Sequence, residues 1–187
     1  MGNEDLKSYI RKCANKEINA PIKLVNDEIL KLGMNLLVNK SKSEIIIFDN
    51  FDTNQVSTLI LDALNNDLII KSVIDFLNIP DAKIVIYTNG KKFFKESKFF
   101  KAVKTKNIKV KLIPKATYDR LTEPMKLVHF ISSDSKATVI GSLKEETLEA
   151  SELFVNFGDE EGSTLLKSFS EGLNDAIFNN QGVTTND

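Results

Sequence analysis

Apolar residues recur along this chain with two periods, and the alternation between them sets the expected architecture. Residues 22–38 carry Ile22, Leu24, Val25, Ile29, Leu32, Leu36 and Leu37 near helical spacing. Residues 67–77 repeat the pattern with Leu68, Ile69, Val73, Ile74 and Leu77. Side chains three and four apart share one face, so both stretches predict amphipathic helices. Between them, residues 44–48 form a short β-branched run with no polar break, and residues 83–87 form another. Such runs suit strands buried on both faces. Residues 108–113 alternate lysine with aliphatic side chains, which predicts a strand near an edge or covered on one face.

Further strands are expected over 127–132, 138–140 and 152–157, the first two joined by the polar turn 133–136. Helices are expected over 54–64, 93–105 and 160–178. The last has Leu165, Leu166, Phe169, Leu173 and Ile177 as its stripe. Residues 115–124 contain Tyr118, Arg120 and Pro124 and read as a loop. Residues 1–20 read as a polar arm or short helix, and residues 179–187 as a disordered tail. Strands alternating with helices predict an α/β fold: a mixed, mostly parallel sheet with helices on both faces. The division is an N-terminal arm and helix over 1–40, one domain over 41–178, and the tail.

Composition changes this picture little. The 187 residues are 42% hydrophobic and 27% charged, enough for a core that needs no disulfide or metal. Cys13 and His129 are single examples of their types, so neither an internal disulfide nor a zinc site is expected. No cofactor is expected, and a reducing, cytoplasmic compartment is. The polar first residues carry no secretory signal, and no run approaches a membrane span. The glycines sit singly, without a phosphate-binding loop.

Charge is more informative in its distribution than in its sum. The net value is −1, yet residues 91–115 hold ten lysines against one acid, Glu96. Residues 145–161 hold seven acids and no lysine or arginine. A lysine-rich run is most simply a solvated face. Its functional reading is contact with nucleic-acid phosphates through Lys91, Lys92, Lys95, Lys98, Lys101, Lys115, Arg120 and Lys126. Arg11 and Arg120 are the sole arginines, which argues against dense bidentate recognition.

One local motif adds chemistry. Residues 127–142 read Leu-Val-His-Phe-Ile-Ser-Ser-Asp-Ser-Lys-Ala-Thr-Val-Ile-Gly-Ser. This stretch resembles the signature hairpin of the phospholipase D superfamily, His-x-Lys-x4-Asp-x6-Gly-Ser. The spacing from Asp134 to Gly141 and Ser142 fits. The run from Leu148 through Glu152 to Phe157 is similar to the acidic residue and strand that follow in that family. With the upstream order of strands and helices, the resemblance covers residues 40–178.

The resemblance implies a half-domain that pairs with a second copy across a twofold axis. In such pairs one His attacks phosphorus, the other protonates the leaving oxygen, and lysines and the Ser hydroxyl hold the phosphoryl group without metal. Here Leu127 stands at the nucleophile position and His129 at the lysine position. The candidate catalytic residues are thus His129, Asp134, Ser142 and Glu152, each with a plainer structural role open to it. Three functions follow. The first is an inactive homodimeric module that binds nucleic acid, in phage defence or DNA processing. The second is a metal-independent phosphodiesterase using paired His129 residues. The third is a scaffold for a protein partner.

Overall fold

The computed structural model describes residues 2–49, 58–125, 127–134, 136–142, 152–175 and 177, and only the backbone of 58, 59, 91–93, 122–125, 127, 128 and 142. The element order is α1 (Asn3–Lys16), β1 (Ile22–Lys23), α2 (Asp27–Lys40), β2 (Glu44–Phe48), α3 (Thr58–Leu64), α4 (Asp67–Leu77), β3 (Lys83–Thr88), α5 (Lys91–Glu96) and α6 (Lys98–Val103). It continues with β4 (Ile108–Leu112), α7 (Lys115–Met125), β5 (Leu127–Ser133), β6 (Ala137–Ser142), β7 (Leu153–Asn156) and α8 (Glu160–Asn174). Among the described residues, seven strands form one sheet in the order β1-β7-β6-β5-β2-β3-β4.

The architecture is α/β and mixed, but the sheet is not mostly parallel. Only the β2–β3 and β3–β4 pairings are parallel; the other four are antiparallel. A parallel pair needs a crossover long enough to return the chain to the same end. Helices supply this twice, through α3–α4 and through α5–α6. β5 and β6 are consecutive in the chain and pair antiparallel.

Helices cover both faces. On one, Ile45, Ile47, Ile84, Ile86, Ile131, Val139 and Val155 join buried residues of α1 to α6. On the other, Ile46, Phe48, Val85, Tyr87 and Phe130 meet Tyr118 of α7 and Leu166 and Leu173 of α8. There the Phe48 ring stacks on Tyr118 at 5.1 Å and on Phe130 at 5.3 Å. The alternation of consecutive strand residues between these two cores is why β2 and β3 are apolar throughout.

Three local expectations change. Residues 22 and 23 leave the expected helix and pair with Val155 and Phe154 as a short edge strand. The helix begins at Asp27, where the Asn26 side chain accepts a hydrogen bond from Ile29 N at 2.9 Å. The expected helix over 93–105 is two helices broken at Ser97, whose hydroxyl accepts from Phe100 N at 3.0 Å and so starts α6. Residues 115–125 are helical instead of a loop. Pro114 accepts from Thr117 N and Tyr118 N at its start, and Pro124 falls in the last turn, where little of the helix remains to break. The expected tail lies outside the described residues. No described helix is long and apolar enough to cross a membrane.

Candidate functional site

The register of the sheet assembles a polar row at the C-terminal ends of β2 and β3, the end at which open α/β sheets bind ligands. Asp49 follows the last residue of β2, and its N–H donates to Tyr87 O at 3.1 Å. Phe48 pairs with Tyr87 on one side and Phe130 on the other. The next positions are therefore Thr88 and His129, flanking Asp49. His129 pairs in turn with Gly141 of β6. Thr88, Asp49, His129 and Gly141 thus occupy four neighbouring strands on the face of Ile47 and Ile131.

Asp49 and Thr88 are fully buried, and His129 is 1% exposed. The imidazole Nδ1 lies 3.8 Å from Asp49 Oδ1. That distance exceeds a hydrogen bond and places the carboxylate beside the ring. Burial pushes the His129 pKa down to about 4. At neutral pH the ring is uncharged. Its other edge lies against Gly141: a Cβ there would sit 1.9 Å from Nε2 and 2.7 Å from Leu153 Cδ2. Only glycine admits the imidazole at this approach.

The remaining sequence candidates are dispersed. Asp134 lies at the opposite end of β5, five residues from His129 and thus about 16 Å along the strand. Its φ is 45°. Its Oδ1 accepts from Ser43 N at 2.9 Å, Ser43 Oγ at 2.9 Å and Glu44 N at 2.8 Å, and its Oδ2 from Lys42 N. It ties the β5–β6 turn to the start of β2. Two shallow cavities flank it, of about 220 and 200 Å³. Glu152 precedes β7 and its carboxylate pairs with Lys23 of β1. The backbone of Ser142 ends β6 opposite Leu127; the side chains of both lie outside the described residues. No group of three or more possible metal ligands occurs among the described residues.

The described candidate cations lie on the helices that precede and follow β4. Lys95 is on α5, Lys98 and Lys101 are on α6, and Lys115 and Arg120 are on α7; all five are exposed. Lys98 pairs with Asp67 at 2.6 Å and Lys115 with Asp119 at 2.8 Å. Lys91 and Lys92 are described by backbone alone, and Lys126 lies outside the described residues. Asp49 is not among the candidates that the sequence offered. The available signal was a carboxylate directly after an all-apolar strand, at the end where such sheets place their sites.

This architecture recurs in known structures. TrmBL2, described as an archaeal chromatin protein with a novel mode of DNA binding, superposes with a TM-score of 0.54 at 18% identity. The match covers 92% of this chain and 59% of TrmBL2, so the chain spans well under two thirds of that protein's length. NucT from Helicobacter pylori superposes with a TM-score of 0.53 at 13% identity, over 83% of this chain and 94% of NucT. At these identities the likeness is one of fold. No protein-family model matches the sequence, and no curated protein matches it.

Proposed function

We propose that this protein is a phospholipase D-like module that holds nucleic acid by its phosphodiester backbone without cleaving it. One observation carries the reading: the polar row lies buried. The resemblance puts Leu127 at the nucleophile position, and an aliphatic side chain has no lone pair for phosphorus. It puts a phosphate-clamping cation at position 129, where a neutral imidazole 1% exposed lies against Gly141. Asp134, taken up by four hydrogen bonds from residues 42–44, serves the turn. Binding is supported from outside the row by the exposed lysines of α5 and α6. It is supported also by the DNA-binding chromatin protein that shares the fold. A homodimer belongs to the same reading through the family resemblance.

Filter binding to single- and double-stranded DNA and RNA at low salt tests this, with the same substrates incubated in EDTA and run on a denaturing gel. Retention of intact strands is expected. No retention of any nucleic acid would remove the reading. Cleavage in EDTA that disappears in His129→Ala would replace it with a phosphodiesterase acting through His129.

A further inference from the structure

The β5–β6 turn borders a cavity that neither the polar row nor the nucleic-acid reading uses. Its volume is about 200 Å³, and it opens where the C-terminal ends of α1 and α2 meet the start of β6. Buried Ala14, Ala137 and Phe157 form its floor, and exposed Lys40, Lys42 and Lys136 stand at its rim. The floor belongs to the core on the α1 and α2 side of the sheet. The cavity lies beside Asp134, at the end of β5 opposite to His129.

Three cations here stand against two carboxylates, and both carboxylates are already engaged. Glu17 pairs with Lys136 at 3.2 Å. Asp134 accepts from four donors of residues 42–44. Lys40 and Lys42 form no ion pair among the described residues. One small space thus holds two ammonium groups with no carboxylate of their own. The carbonyls that end α1 and α2 would oppose an anion, but they are taken in part. Cys13 O accepts from Ile18 N at 3.0 Å, and Leu37 O from the Ser41 hydroxyl at 2.8 Å.

We propose that this cavity binds a small organic anion, with a carboxylate or phosphate head held by Lys40 and Lys42 and an apolar body on Ala14, Ala137 and Phe157. Size decides what that body can be. Drug-sized ligands occupy pockets of about 300–1,000 Å³, and a benzene ring fits a cavity of about 150 Å³. The space here therefore suits one ring or a short alkyl chain beside its charged group, and not a whole nucleotide. Lysine ammonium groups are point charges on flexible stems, so either head group is accommodated. The site is independent of the nucleic-acid reading.

The test is isothermal titration calorimetry with phenyl phosphate, benzoate, benzyl alcohol and inorganic phosphate. An aryl anion is expected to bind, and benzyl alcohol is not. Phenyl phosphate should bind about tenfold or more tightly than inorganic phosphate, the effect of taking one ring out of water. Lys40→Gln with Lys42→Gln should weaken the aryl anion about tenfold or more. Lys95→Gln with Lys101→Gln, which changes net charge equally but away from the cavity, should leave its affinity in place. Thermal unfolding checks that both variants are folded. Binding of either aryl anion on these terms supports the site, and the tighter of the two names its head group. Absence of binding by both aryl anions, or unchanged affinity in the Lys40 and Lys42 variant, overturns it. So does an equal loss in the control pair, which would trace binding to net charge alone. Equal affinity for inorganic phosphate and phenyl phosphate overturns the apolar body, and equal affinity for benzyl alcohol and benzoate overturns the charged head.

Discussion

His129 carries a proton-linkage signature that follows from its burial. With a folded pKa of about 4 against an ordinary value of 6.5, the unfolded chain takes up the proton first as pH falls. Stability then rises with pH wherever the unfolded state binds more protons. The sign is therefore definite. Above about pH 7 the ring contributes no pH dependence. Between about 6.5 and about 4 the fold loses stability, by about 3 kcal/mol in all, and below that this group has no further effect. Urea unfolding across that range should show the loss. His129→Gln should lack this portion while keeping the part due to carboxylates. Parallel curves for the two proteins would mean that the ring is not held neutral in the fold.

At the scale of elements, Asp134 joins the β5–β6 turn to the entry of β2. Asp134→Ala would leave the N–H groups of Ser43 and Glu44 without their acceptor, a loss of about 1–3 kcal/mol in urea unfolding. Asp134→Asn keeps one oxygen and tolerates the left-handed backbone, so its loss should be smaller. Neither change should alter nucleic-acid affinity, and a matched fall in affinity would place Asp134 in the binding surface. The elements around it were legible in sequence for a local reason. β2, β3 and the hairpin are runs of Ile, Val and Phe between turn residues, and α4 shows its stripe plainly. Elements set by distant partners were not legible. Residues 22 and 23 extend a helical stripe, yet pair with β7 because that strand offers an open edge. Residues 115–125 look broken by Pro124, yet Tyr118 and Leu121 pack into the second core. The proportion of parallel pairing depends on which strands become neighbours, and no periodicity encodes that. Asp49 was hidden similarly: its place beside His129 arises from register across two strands far apart in the chain.

For the molecule as a whole, the N-terminal segment decides whether residues 41–178 stand alone. Ile10, Cys13 and Ala14 of α1 and Ile22 of β1 are all at most 5% exposed and belong to the main core. β1 covers the edge of β7 through Ile22–Val155 and Lys23–Phe154. The Asn156 side chain donates to Asn19 Oδ1 at 2.8 Å and accepts from Ala20 N at 3.1 Å. Each fully buried aliphatic side chain is worth about 1.5–3 kcal/mol, against a total stability of about 5–15 kcal/mol for a domain of ordinary size. Removing residues 2–24 would therefore withdraw much of the margin and bare an apolar strand edge, the usual route to edge-to-edge aggregation. The truncated chain is expected to lose its cooperative urea transition and to accumulate as aggregate in light scattering. A cooperative transition within about 1 kcal/mol of the full chain would show that α1 and β1 are an appendage to a domain that folds without them.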